Sequence, residues 1–494
     1  MASPGGRTRA LHGYELRDDI IRQRARQPRP DGTGRIVQIE ETSSLEHFAP
    51  KWKPVLQRDK REARLRGHDK RGAFAQRSRS KAKVHRKAVS NVFWAGRVGN
   101  NPTIVQKYGG ACLETPARIR AVAGCLADLH NHGHRVVAIV SAMGKTTDEL
   151  IRMAYQVSPN PNRRELDMLL TTGERISMSL VSMALSDLGV PAISFTGSQA
   201  GVMTDESHSS ARILDVRPIR VREELDRGRI VVLAGFQGVN PATKEITTLG
   251  RGGSDTTAVA MAAALKAECC EIIKEVDGVC SADPHIVASS RPLRQLDFAS
   301  LSEMCFWGAK ILHFRSVELA QSQDVPLVLK KWGGAEYSTQ VMKEVPGMEN
   351  GKVLAVNSMD RVEHVEIDSA DLNQGFERVA QHLEQNGLAW PQLLASDFAN
   401  GKTCIMVTCD PESLDTLLRT LEGSRELRRR GETLSSVSLT CFGGVASGLP
   451  FKAIQTLQQH GIVADKYVSS PHSVNFFVPM ESRKAAVEAL HSLI

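Results

Sequence analysis

TTLGRGGSDTTAVAMAAAL, residues 247–265, sets Gly250, Gly252 and Gly253 around Arg251, adds Asp255, and runs into an alanine-rich helix. Glycine costs backbone entropy, so this crowding needs a reason. Bare backbone at a helix start is a good anion site, because unshielded amide hydrogens point outward and the helix dipole adds roughly half a positive charge. Ser254 or Asp255 is placed to cap the helix. The theme repeats in QKYGGACLETPARIRAV, residues 106–122: a strand with Lys107, the pair Gly109–Gly110, then a helix with Pro116 in its opening turn. Either turn alone reads equally well as a tight strand–helix connection. Two in one domain, each beside a cation, favour phosphate binding.

The surroundings set the fold class. From residue 103, β-rich runs TIVQKY, RVVAIVSAM, PAISFTG, RIVVLAGFQGV and CCEIIKEV alternate with helical stretches such as ARIRAVAGCLADLHNHG and DTTAVAMAAALKAE. Strands separated by helices of that length predict an α/β domain over 103–345, a mainly parallel sheet with helices on both faces. Ligands of such sheets sit beyond the carboxyl ends of the strands, where both glycine turns fall. Over 346–494 the texture shifts to two small αβ units of about seventy residues each, around helices NQGFERVAQHLEQNG and LPFKAIQTLQQHG. Modules of this kind bind effectors, dimerise, or simply pack in an oligomer.

Bulk properties narrow the classes. A chain of 494 residues with a hydrophobic fraction of 41% suits two or three soluble domains, and no apolar run approaches the length of a bilayer span. No charged-then-apolar segment opens it, so export is not expected. The nine cysteines are scattered and fit neither a zinc spacing nor a disulfide framework, which suits a reducing cytoplasm. The net charge of +8 is uneven: residues 1–100 carry 24 Lys and Arg against 10 Asp and Glu, leaving the rest of the chain acidic. The basic extension, 1–102, is too polar to fold alone. It reads as a solvated tail, a polyanion- or protein-binding arm, or an organelle transit segment.

Several chemistries are missing. GxxxxGK[ST] does not occur, VSAMGKTT sharing only its ending, and neither glycine turn spells GxGxxG. FTGSQAG lacks the nucleophile-elbow spacing. His130, His132 and His134 in HNHGH fit a solvated helix exit better than a metal site. What remains fits phosphoryl transfer, which needs positive charge on the moving group, in-line positioning and exclusion of water. Lys107 and Lys310 are candidates for the charge, Arg251 for a carboxylate clamp, and Glu174 in LLTTGERIS for an ammonium partner. Together they describe a kinase acting on a small amino acid.

At these residues the chain resembles the aspartate kinases of the amino acid kinase family, the type with a tandem pair of C-terminal ACT modules. The likeness is dense over 103–335, through KYGG, VSAMGKTTDEL, RELDMLLTTGERIS, GSQAGVMTDESH, AGFQGVNPATKEITTLGRGGSDTTAVAMAAAL, VDGVCSADP and GAKIL. It is looser over 350–494. It implies a three-layer αβα sandwich followed by two ferredoxin-like ACT modules. The implied reaction is ATP-dependent phosphorylation of the L-aspartate side chain, the first step toward lysine, threonine and methionine. Mg²⁺ would ride on the nucleotide, and the ACT-like region would form a homo-oligomer.

The resemblance also implies roles. Lys107, with Gly109 and Gly110, would hold the phosphates, and Asp255 would position Lys107 and the substrate amine. Ser141, Thr147, Glu174 and Arg251 would line the aspartate site, with Gly252, Gly253 and Ser254 as an anion cradle. Lys274, Glu275, Asp277, Cys280, Asp283, His285 and Lys310 would belong to the nucleotide side. Departures gather there. Ala111–Cys112 replaces Thr-Ser, and KEVDGVCSADPH stands where the family has (S/T)DVDGVYTADPR. Cys280 replaces an aromatic residue and His285 an arginine. Losing a stacking contact (about 1 kcal/mol) and an arginine–phosphate pair (about 1.5–3 kcal/mol) would weaken ATP binding roughly ten- to a thousandfold. The alternatives are a weakly catalytic or non-catalytic paralogue that regulates a partner, and a kinase for an aspartate analogue.

Overall fold

The computed structural model describes residues 101–494 apart from 335–337, 344, 346–350, 387, 410, 423 and 425. The basic extension expected over 1–102 lies almost wholly outside the described residues, as does the boundary expected at 346.

An eight-stranded sheet organises the first domain. Its strands are β1 (Thr103–Tyr108), β2 (Arg135–Val140), β3 (Ala192–Phe195), β6 (Ile230–Ala234), β9 (Cys269–Lys274), β10 (Gln295–Asp297), β11 (Leu327–Lys331) and β12 (Ser338–Met342), in the order β10-β12-β11-β9-β1-β2-β6-β3. Every adjacent pair is parallel except β11 with β12. Central strands buried on both faces read as continuous apolar runs, and RVVAIV is buried from its second residue onward.

Alternation along these strands divides the core. Val136, Ala138, Val140 and Tyr108 face helices α1 (Pro116–Asn131) and α3 (Arg163–Asp187). Val105, Val137, Ile139, Cys270 and Ile272 face the layer of α5 (Gly253–Leu265), α6 (Phe298–Phe306) and α7 (Phe314–Ser322). Helix α5 is buried on nearly every side, which explains its run of alanines: a helix enclosed all round has no polar face. Two more helices, α2 (Thr146–Val157) and α4 (Ile219–Asp226), complete the layers. A second sheet, of β4 (Val202–Thr204), β5 (Ile213–Val216), β7 (Gln237–Val239) and β8 (Ile246–Thr248), projects from the domain in the order β5-β4-β7-β8.

The C-terminal region contains β13 (Lys352–Asp368), α8 (Leu372–Gln385), β14 (Gln392–Ala399), β15 (Lys402–Thr408), α9 (Pro411–Glu422), β16 (Leu427–Arg429), β17 (Leu434–Phe442), α10 (Leu449–Gln459), β18 (Lys466–Ser469), β19 (Ser473–Pro479) and α11 (Arg483–His491). The first unit runs βαββαβ and the second βαββα, and they are nested rather than consecutive. The long β13 pairs with β17 over its first part and with β15 and β16 over its last part. The second unit therefore takes its fourth strand from residues that precede the first unit. No helix among the described residues is long and apolar enough to cross a membrane.

Candidate active site

The sheet's parallel order brings three charges together at the strand ends. Lys107 lies opposite Ile272 in the β1–β9 ladder, so Lys274, two residues further along β9, emerges on the same face, toward α5. Asp255 rises from the first turn of α5 between them. Its Oδ1 is 2.6 Å from Lys107 Nζ and its Oδ2 is 3.4 Å from Lys274 Nζ. Lys274 Nζ also donates to the Ile311 carbonyl. Burial alone would raise the Asp255 carboxyl, but the two ammonium groups, Lys107 foremost, hold it below its ordinary value. Burial also lowers the Lys274 ammonium, against the pull of Asp255.

Glu174 sits midway along α3, only 3% exposed. Its Oε1 accepts the Ala142 amide at 3.1 Å, while Oε2 is buried with no hydrogen-bond partner. Burial pushes this carboxyl up to about 7, with Lys107 among the groups opposing the shift. Gly173 lets α3 approach so closely, since a Cβ there would stand 2.8 Å from Ala142 Cβ. Ser141 follows β2 and Thr147 lies in the first turn of α2, and both are half-buried.

The glycine turn is built for packing more than for an open cradle. Gly252 caps α5 in the left-handed region (φ 70°), where a Cβ would fall 2.2 Å from His313 Cβ. A Cβ on Gly253 would meet Leu249 and Phe236, and the Gly253 amide is already donated to the Gly250 carbonyl. Neither Ser254 nor Asp255 caps the helix: both lie inside its first turn, and Asp255 is drawn to the lysines. Arg251 is exposed. Gly109 lies beside the lysine, where a Cβ would make ordinary contacts, 3.7 Å from the Ile273 carbonyl oxygen and 3.9 Å from Lys107 Nζ.

The residues expected around the nucleotide divide. Cys280 is half-buried, and burial, then the carboxylates of Asp277 and Asp283, raise its thiol. Asp277 pairs with Lys331 at 2.8 Å, and Glu275 pairs with Arg118. Asp283 and His285 are exposed, the Asp283 carboxylate accepting the His285 amide at 2.9 Å. Their neighbours Ala282 and Val287 pack into the core of the second C-terminal unit. Lys310 is 78% exposed and bonds Asp360 of β13 at 2.8 Å, away from Asp255. Cys112, which replaces a hydroxyl residue, is fully buried with its thiol toward the Ile273 carbonyl at 3.6 Å.

Two neighbours escaped the sequence reading. His313 lines the glycine turn and caps α7 by accepting the Arg315 amide, and burial lowers its pKa. Asp167 is fully buried and accepts His208 Nδ1 at 2.7 Å, the Ser209 amide at 3.1 Å and Thr248 Oγ1 at 2.5 Å, tying α3 to the projecting sheet. The acidic residue in RELDMLL was the signal for Asp167. For His313, beside GAKIL, nothing local marked it.

Known proteins bear on this arrangement. The model of the amino acid kinase family matches residues 102–331. An aspartokinase of Corynebacterium glutamicum is 54% identical over 246 residues, 49% of this chain and 58% of that protein, so the match spans little more than half the relative's length. An aspartokinase of Geobacillus stearothermophilus is 38% identical over 395 residues, 78% of this chain and 96% of the relative. Escherichia coli aspartokinase III, crystallised with aspartate and ADP, superposes with a TM-score of 0.66 over 79% of this chain and 99% of its own, at 20% identity, a likeness of fold. With a parallel sheet that carries the Lys107–Asp255 pair and a nested pair of small αβ units behind it, the chain belongs to the aspartokinases of the amino acid kinase family.

Proposed function

We propose that the chain transfers the γ-phosphoryl group of ATP to the side-chain carboxylate of L-aspartate, forming 4-phospho-L-aspartate and ADP. The observation that carries this reading is the buried Lys107–Asp255 pair in the neighbourhood of Glu174, whose Oε2 has no partner. An anion needs Lys107 and an ammonium group needs Glu174, and L-aspartate with ATP supplies both.

An oxygen of the substrate carboxylate attacks the γ-phosphorus, and the bond to the β–γ bridging oxygen breaks with its electron pair leaving on ADP. The acceptor is already ionised at neutral pH, so no general base is required. The chain's task is positioning and charge. Lys107 carries charge to the moving group, Asp255 orients Lys107, and Glu174 receives the substrate ammonium. Arg251 clamps the α-carboxylate, with Ser141 and Thr147 on the rim. Cys280, Asp277, Asp283, His285, Glu275 and Lys274 form the nucleotide side, with Lys310 at its margin. Among the described residues no three His, Cys, Asp or Glu side chains are grouped to hold a metal. Mg²⁺ would ride on the nucleotide and neutralise phosphate charge there. The cytoplasm supplies both substrates, and the C-terminal region supplies the surface for a homo-oligomer.

The test is ADP release from Mg·ATP with L-aspartate, beside Lys107→Ala. Aspartate-dependent turnover that falls about a hundredfold or more in the variant supports the proposal. Folded protein that binds neither substrate would favour the non-catalytic paralogue, and turnover only with another amino acid would reassign the acceptor.

A further inference from the structure

The sheet of the second C-terminal unit carries a line of polar side chains on the face opposite its own helices. Ser438, Ser473 and Asn475 are wholly buried there, between positions such as Val437, Leu439, Val474 and Phe476 that fill the unit's apolar core. Their hydrogen bonds run one way. The Ser438 hydroxyl donates to Asn475 Oδ1, Asn475 Nδ2 donates to Ser473 Oγ at 2.8 Å, and the Ser473 hydroxyl donates to Oε1 of Glu303, on α6 of the kinase domain. Ser470 donates to the same oxygen, and so does the Trp307 indole at 3.2 Å. Buried hydroxyls and amides cost stability unless they are matched, and a chain of donors gains most when it ends on a carboxylate. Such a line fixes one docking of the unit on α6, since a shift strands its donors.

The segment that leaves α6 reaches the reaction centre. Residues 307–313 connect α6 to α7. At the near end Trp307 packs edge-on to Phe477 of β19. Gly308 (φ 106°) presses on β13 so closely that a Cβ would stand 2.4 Å from the Ser358 carbonyl oxygen. At the far end the Ile311 carbonyl accepts Lys274 Nζ, and His313 stands against Gly252. One short connector therefore touches the C-terminal sheet on one side and, on the other, the lysine and the glycine turn beside Asp255.

We propose that Glu303 is a positioning residue for phosphoryl transfer. By gathering the donors of the C-terminal unit onto the end of α6, it sets the connector and, through the Ile311 carbonyl, the placement of Lys274 beside Asp255. This rests on the kinase reading above and deepens it: the kinase domain has its working geometry only with the second unit docked. Glu303 acts through other residues, so its loss displaces charges at the phosphoryl end of the site rather than removing them. The aspartate end is spared, because Glu174 is held by α3 and the Ala142 amide, outside the connector. Turnover falls while the KM for L-aspartate holds.

The experiment compares wild type, Glu303→Ala, Glu303→Gln and the double variant Ser470→Ala with Ser473→Ala. Steady-state kinetics use Mg·ATP and L-aspartate, and thermal melting sets every assay well below unfolding. In Glu303→Ala and the double variant, kcat should fall by about tenfold or more, since a small misplacement set up far from the chemistry is costly. The KM for L-aspartate should stay within about threefold of wild type in both. Glu303→Gln keeps an oxygen that accepts from the serines and the indole, and should retain at least about a third of the wild-type kcat. Should Glu303→Ala fail to fold, the serine double variant, which leaves α6 unchanged, decides. Folded variants with wild-type kcat overturn the proposal, as does a loss confined to the KM for L-aspartate, or a Gln variant as impaired as the Ala variant. Those outcomes, with wild type active, leave the kinase reading standing. A wild type without aspartate-dependent turnover overturns the kinase reading and this proposal together.

Discussion

Glu174 shows what the burial of one carboxyl does to stability. Its carboxyl ordinarily titrates near 4.5 and is pushed by burial up to about 7. Because the folded pKa is raised, the proton is held more tightly in the folded state. The fold is therefore penalised progressively as pH rises from about 4.5 to about 7, by roughly 3 kcal/mol once both states are ionised. Glu174→Gln should melt at a higher temperature than wild type at pH 8 and show little difference at pH 4.5, which calorimetry across that range would check. The same variant should lose aspartate binding. In wild type, KM for aspartate should fall as pH rises through about 7, because only the ionised carboxylate receives the substrate ammonium. Gly252 makes a steric argument instead. Gly252→Ala would force alanine into a left-handed φ of 70° and place its Cβ 2.2 Å from His313 Cβ. A destabilisation of about 3 kcal/mol, seen as a lower denaturation midpoint, is expected.

At the scale of elements, the ends of β1 and β9 and the start of α5 form the unit that carries Lys107, Lys274 and Asp255, and Asp167 ties α3 to β8 and to the segment between β4 and β5. Asp167→Ala would strand the buried donor Thr248 and the half-buried donors His208 and Ser209, at about 3 kcal/mol. KM for aspartate should rise, because β8 leads directly into the turn that carries Arg251, and kinetics with urea denaturation would separate the two effects. Much of this unit was legible in the sequence. Strand–helix alternation is a local pattern, and Lys107 and Glu174 stood out as candidate charges, whereas the partnership of Asp255 with Lys107 came from the family resemblance, the residues alone offering Asp255 as a helix cap. Which lysine faces Asp255 was not legible, because it depends on strand register and on Asp360, fifty positions beyond Lys310. Nor was the purpose of Gly252, which is set by His313 arriving from a distant segment.

For the whole molecule, the kinase domain and the nested units share contacts. Leu354, Ala355 and Phe442 belong to the kinase core, while Ala282 and Val287 belong to the C-terminal core. Ser470 and Ser473 converge on Glu303, and Trp307 packs edge-on to Phe477. The pattern of the residues indicated two small αβ units, but their nesting escaped it, since a strand's partners are not written in its own residues. A chain ending at residue 345 should expose these surfaces, and dye binding with lowered thermal stability would register the loss. The most direct measurement of the central claim is trapping the product. Incubated with Mg·ATP, L-aspartate and hydroxylamine, the full chain should form the side-chain hydroxamate of aspartate, an acyl-phosphate signature, and Lys107→Ala should form almost none. ADP release without hydroxamate, or equal yields from the two proteins, would contradict the account.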